Sequence, residues 1–79
     1  MLSFELTEDG KAIQIHCDSQ GIGILLEKLS EQVRERGGHT HLRGPSAGGK
    51  DLNEISPFGV KAFSEVIIDY TEGDPLETA

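Results

Sequence analysis

The sequence contains few cysteines and few aromatic residues. Its 79 residues include one cysteine, no tryptophan, three phenylalanines and one tyrosine. A lone cysteine, Cys17, cannot form an intrachain disulfide, and we therefore expect a cytoplasmic protein. Nucleic-acid binding is disfavoured because no basic patch is interleaved with aromatic side chains.

Long apolar runs are missing as well. No stretch approaches the roughly 20 apolar residues that a membrane-spanning helix needs, so we expect no membrane association. The first residues, MLSFE, are neither basic nor continuously apolar, which predicts that they are not a signal peptide. A domain of this length buries only about 60% of its unfolded surface, so its stability would gain from a partner copy.

Positive charge is scarce, because 7 lysines and arginines stand against 14 aspartates and glutamates, for a net charge of −7. From residue 51 onward, seven acidic residues stand against Lys61 alone, which gives six of the seven excess negative charges. These acidic residues are Asp51, Glu54, Glu65, Asp69, Glu72, Asp74 and Glu77. Such a field repels nucleic acid and anionic membranes, and it attracts basic proteins.

Hydrophobic periodicity predicts four strands and one helix in a single domain. Residues 1–17 alternate around Asp9-Gly10, which is typical of a β-hairpin. Residues 18–37 carry apolar side chains at three- and four-residue steps, as an amphipathic helix does. Residues 38–43 and 64–71 are predicted to be the last two strands. The fold class is therefore α+β, a two-layer ββαββ sandwich whose mostly antiparallel four-stranded sheet has the helix on one face.

Three further expectations follow from the same pattern. The apolar faces predict a core, which consists of Phe4, Leu6, Ile13, Ile15, Cys17, Ile22, Leu25, Leu26, Leu29, Val33, Leu42, Val66, Ile68 and Tyr70. Residues 44–63 are predicted to be a functional loop, because unstructured connections beyond ~12–15 residues are usually functional or disordered. Residues 72–79 are predicted to be a flexible acidic tail.

Histidines provide one candidate site. His39 and His41 project from the same face of their strand, about 7 Å apart along it. If His16 joined them, three neutral imidazoles could hold zinc. No cysteine or carboxylate lies at tight ligand spacing, so we expect neither a metal nor another cofactor and favour a solvated face. A small metal-binding regulatory domain that uses His16, His39 and His41 stays open as an alternative.

The glycine-rich segment GPSAGGKD nearly matches a phosphate-binding loop. That chemistry requires Ser or Thr after the lysine to hold magnesium, whereas Asp51 stands there and would repel phosphate. A hydrolase built on Ser46 or Asp51 is a further alternative, and it would need a concave pocket beside the loop. Because local sequence places no histidine near Ser46, we expect no catalytic residues and no enzyme. The glycines are better explained by a tight, exposed turn.

The same region carries a family resemblance. Gly38-His39-Thr40-His41-Leu42, then Pro45, Gly48-Gly49 and Asp51-Leu52, resembles a motif of the immunity protein 32 family of bacterial polymorphic toxin systems. Members are similarly short and acidic, with the same order of elements. The resemblance implies a protein that binds and neutralises a cognate toxin, which could be basic, by stoichiometric protein–protein interaction.

The residues that would contact such a toxin lie on the third strand and in the loop after it. They are His39, His41, Arg43, Pro45, Ser46, Gly48, Gly49 and Asp51.

A third alternative is a dimeric scaffold module, in which the polar sheet face or an edge strand contacts a second copy.

Overall fold

The structure, a computed structural model, describes residues 1–71. Two β-hairpins flank one helix, and the elements are β1 (Leu2–Leu6), β2 (Ile13–Cys17), α1 (Ser19–Glu35), β3 (His39–Arg43), a short 3₁₀ turn (Pro45–Ala47) and β4 (Glu65–Asp69). The predicted α+β class and ββαββ order are confirmed. The predicted tail, residues 72–79, lies outside the described residues.

The prediction of a single four-stranded sheet is wrong. β1 pairs antiparallel with β2, and β3 pairs antiparallel with β4, in two separate two-stranded sheets. The connection after β3 occupies the outer edge of β1, where a third strand would have paired. There the Asn53 N–H donates to the Leu2 carbonyl, and the Phe63 N–H donates to the Phe4 carbonyl. The connection therefore joins the two hairpins.

Helix α1 begins with a side-chain cap and lies very close to β1. The Asp18 carboxylate accepts a hydrogen bond from the Gly21 N–H at 2.9 Å, which satisfies a free donor of the first turn. Gly21 is buried, and a Cβ added there would collide with the Met1 carbonyl oxygen. The helix ends at Glu35, and the next residue, Arg36, takes the left-handed conformation (φ 53°). Within residues 1–71, no helix has the length and apolar content needed to cross a bilayer.

The core is smaller than predicted and lies on a different side of the helix. The buried apolar residues are Leu2, Phe4, Leu42, Leu52 and Ala62, with Ile24, Leu25, Val66 and Ile68 packed against most of them. Several predicted core residues are instead exposed, namely Leu6, Ile13, Ile15, Cys17, Ile22, Leu26, Leu29 and Val33. The cause is the close approach at Gly21. It turns the side of α1 that contains Gly21 and Gln32 towards β1, and thereby turns the neighbouring aliphatic stripe outward.

Candidate partner-binding surface

The outward face of the second hairpin gathers polar side chains from both of its strands. In the antiparallel register, residues that lie directly opposite each other point to the same side of the sheet. Leu42 points inward to the core, so its neighbours along β3 point outward. We call this outward surface the β3–β4 face, and it consists of the pairs His39–Asp69, His41–Ile67 and Arg43–Glu65.

Glu65 connects the side chains of the β3–β4 face. Its Oε2 accepts a hydrogen bond from Arg43 Nε at 2.9 Å and lies 2.8 Å from His41 Nδ1. The His41 ring meets the His39 ring edge-on, with the ring centroids 4.9 Å apart. The bond from Arg43, and after it the bond from His41, lowers the pKa of Glu65 below its ordinary value of 4.5. The ionised carboxylate therefore holds Arg43 and His41 in one arrangement.

The glycine-rich segment after β3 forms an ordered turn. A 3₁₀ turn spans Pro45–Ala47, and Gly48 follows in the left-handed conformation (φ 86°) that glycine adopts without a steric penalty. The hydroxyl and the backbone N–H of Ser46 both donate to the Glu54 carboxylate, at 2.6 and 2.7 Å. These bonds lower the pKa of Glu54. We call residues 45–48 the 45–48 turn, and Glu54 fixes its position.

Two of the predicted contact residues hold this turn against β3. The Asp51 N–H donates to the Arg43 carbonyl at 2.8 Å, and Asp51 Oδ2 accepts from the Arg43 N–H at 3.2 Å. A Cβ added to Gly49 would lie 2.5 Å from the Arg43 Cβ, so the chain passes directly over that side chain. Gly49 and Asp51 therefore position the turn, whereas Pro45, Ser46 and Gly48 are exposed.

His16 does not join the other two histidines. Its Nε2 lies 2.6 Å from Glu5 Oε1 on the first hairpin, and its ring meets the Phe58 ring edge-on at 4.7 Å. Residues 1–71 contain no group of three or more histidine, cysteine, aspartate or glutamate side chains placed to hold a metal ion. The three-histidine site that the sequence left open is thus not assembled.

The surroundings of Ser46 bear on the hydrolase alternative. Its hydroxyl donates to Glu54, and a carboxylate whose pKa is lowered is a weaker base. The depression beside the turn, which Pro45, Leu52 and Ile55 help to line, is open to solvent. The arrangement does not provide the enclosed pocket and strong base that this alternative needs.

The predicted contact residues include neither of the two glutamates, Glu54 and Glu65, that organise the surface. Glu65 reaches Arg43 and His41 only because β4 pairs with β3 in this register, and a register is not visible in the periodicity of one strand. Comparisons of the chain with models of known families, with curated proteins and with solved structures found no match. The geometry of the surface is therefore the basis for the functional conclusion.

Proposed function

We propose that this chain is a protein-binding domain that neutralises a cognate bacterial toxin through the β3–β4 face and the 45–48 turn. The observation that carries the proposal is the fixed arrangement of this surface. Glu65 holds Arg43 and His41, and Glu54 holds Ser46, before any partner arrives. A surface fixed in advance loses less conformational entropy when it binds, so more of the contact energy appears as affinity.

The family resemblance supports the same surface. The residues that carry it, 38–52, form β3, the 45–48 turn and the residues that hold this turn in place. An immunity protein acts by covering its toxin, and for this it needs an exposed, folded surface with no bond made or broken. The chemistry of the β3–β4 face suits that role.

The composition of the face also suits a protein partner. Ile67 is 53% exposed among imidazole, guanidinium and carboxylate groups, so an apolar side chain is surrounded by polar ones. Protein interfaces share this arrangement, and arginine is among the residues that most often dominate their affinity. The net charge of −7 would speed encounter with a basic toxin.

Co-expression tests the proposal in cells. A toxin encoded beside this protein's gene should stop growth, and the wild-type chain should restore growth. Arg43→Glu should lose this protection, because it replaces the positive side chain of the β3–β4 face by a negative one and brings two carboxylates together. The matched control is Arg34→Glu, the same change on an exposed residue of α1, and it should protect fully.

Calorimetry with the purified toxin gives the stoichiometry and the affinity. We expect one chain per toxin, and a loss of affinity of at least tenfold for Arg43→Glu, or about 1.4 kcal/mol. Circular dichroism would establish that both variants are folded. If no neighbouring gene product is neutralised, toxin inhibition is excluded. If the two variants protect equally, the β3–β4 face is not the contact surface.

A further inference from the structure

Strand β2 lies at the edge of the first sheet with its backbone turned outward. The carbonyls of Leu2 and Phe4 point away from β2, towards Asn53 and Phe63. In an antiparallel pair, opposite residues either both bond across the pair or both point away from it. Cys17 and Ile15 lie opposite Leu2 and Phe4, so their N–H and C=O groups also point away.

Because backbone orientation repeats every second residue along a strand, the N–H and C=O groups of Ile13 point away from β1 as well. No residue within the described range 1–71 forms a hydrogen bond with these outward groups of Ile13, Ile15 and Cys17. The strand, IQIHC, contains neither proline nor lysine, the residues that commonly protect an edge, and it carries no formal charge when its histidine is neutral. An unprotected edge of this kind is a template for pairing with another strand.

The side chains of this strand are also exposed and apolar. Ile13 and Ile15 are 62% and 46% exposed, although they share a sheet face with the buried Leu2 and Phe4. Beside them lies a groove of about 370 Å³, whose mostly apolar lining includes Phe63 and also Glu65 of the β3–β4 face. An exposed edge and an exposed apolar face therefore coincide on one strand.

We propose that β2 pairs antiparallel with β2 of a second copy of this chain, about a two-fold axis at Ile15. Ile15 then lies opposite Ile15 of the second copy, and Ile13 lies opposite Cys17 of the second copy. In this register the outward N–H and C=O groups of all three residues find partners. The two hairpins become one four-stranded sheet, and each copy covers the isoleucines of the other.

The neutrality of β2 favours a second copy as the occupant. Two negatively charged molecules repel each other, but self-pairing along β2 places no like charges opposite one another, because Gln14 faces His16 of the second copy. The strand contact is limited to five residues from each copy, which is small beside a standard stable complex. The dimer is therefore a weak one, in equilibrium with the monomer. The strand pairing itself involves no residue of the β3–β4 face, so we expect the dimer to be independent of toxin binding.

Disulfide trapping tests the register. Ile13→Cys places a new thiol opposite Cys17 of the second copy, in a pair whose Cα atoms lie about 5.5 Å apart, within disulfide range. Under mild oxidation by oxidised glutathione, most of the variant should become a covalent dimer with two symmetric disulfides. Gln14→Cys is the matched control, because its side chain points to the opposite face, and it should trap no more dimer than wild type. Equal trapping in both variants would overturn the register.

Sedimentation velocity over a range of concentrations tests the dimer itself. Wild type should shift from monomer to dimer as concentration rises, and Ile15→Lys should stay monomeric at every concentration. Ile67→Lys is the matched control, with the same change at a similarly exposed isoleucine, and it should still dimerise. A wild type that is monomeric throughout contradicts the proposal. So does a dimer that Leu26→Lys dissociates but Ile15→Lys does not, since this result would place the contact on α1.

The same variants separate this proposal from toxin binding. Folded, monomeric Ile15→Lys should still protect cells against the toxin, whereas Ile67→Lys should dimerise but protect less well. If Ile15→Lys loses both dimerisation and protection, the dimer is not independent of toxin binding, and that part of the proposal is wrong.

Discussion

The two hairpins carry the same pair of side chains in different surroundings. In each hairpin a histidine reaches a glutamate diagonally across the strands, His16 to Glu5 at 2.6 Å and His41 to Glu65 at 2.8 Å. The side chains of the first pair are 12% and 6% exposed, against 27% and 35% for the second pair. Both hairpins therefore contain a histidine–glutamate pair, but the pair of the second hairpin is more exposed to water.

What covers each pair explains the difference. A turn closed by the hydrogen bond from the Ser56 N–H to the Val60 carbonyl places Phe58 against His16. On the second hairpin, Glu65 shares its carboxylate with Arg43 at the surface. The first pair therefore contributes to the stability of the fold, and the second pair is available for recognition. Three predictions test this division, from the largest expected effect to the smallest.

The largest effect should come from the helix that covers the other face of the first hairpin. Gly21→Ala drives a Cβ into the Met1 backbone and forces α1 away from β1, so we expect a loss of about 3 kcal/mol in the free energy of unfolding. Gly23→Ala is the matched control, because a Cβ there meets open space. It should gain up to about 1 kcal/mol from better helix propensity. Urea denaturation measures the free energy of unfolding of both variants. If the two substitutions change it in the same direction, α1 does not contact β1 as described.

The next effect should distinguish the two histidines. His16→Ala leaves the buried Glu5 carboxylate without its partner, and we expect a loss of about 2 kcal/mol in the free energy of unfolding. His41→Ala should change the unfolding free energy little, because Glu65 keeps Arg43 and is reached by water. Urea denaturation of both variants provides the measurement. Equal losses would mean that the two pairs do not differ in role.

The features that sequence predicted correctly depend on local periodicity. Alternation along β3 was sufficient to place His39, His41 and Arg43 on one face, and helical spacing was sufficient to identify α1. The order of elements follows from the same signals, because each needs only a few neighbouring residues.

The features that sequence missed depend on contacts between distant residues. Periodicity showed which apolar residues of α1 share a stripe, but the approach of Gly21 to Met1 decided which side is buried. The connection after β3 was predicted to be a functional loop. Only its first part forms the candidate surface, because Leu52 enters the core and Phe63 bonds to the edge of β1. Hydrogen bonds between distant segments leave no period in the sequence.

The smallest effect concerns the exposed pair of the second hairpin. Arg43, and after it His41, lowers the pKa of Glu65 below 4.5, so these contacts favour the ionised carboxylate in the folded state. Their contribution to stability is thus present above the ordinary value and is lost as pH falls through the lowered pKa of the folded state. Because water reaches the pair, we expect this acidification to lower the stability of the fold only slightly.

Carbon-detected NMR titration of the Glu65 carboxyl measures this pKa directly. The midpoint should lie below 4.5 in wild type and should move up towards that value in Arg43→Gln, which removes the largest cause of the shift. A wild-type midpoint at or above 4.5 would mean that Glu65 does not hold Arg43 and His41 in place. The β3–β4 face would then be no better fixed than any other exposed polar surface. The fixed arrangement would no longer support the proposal that the second hairpin binds a partner.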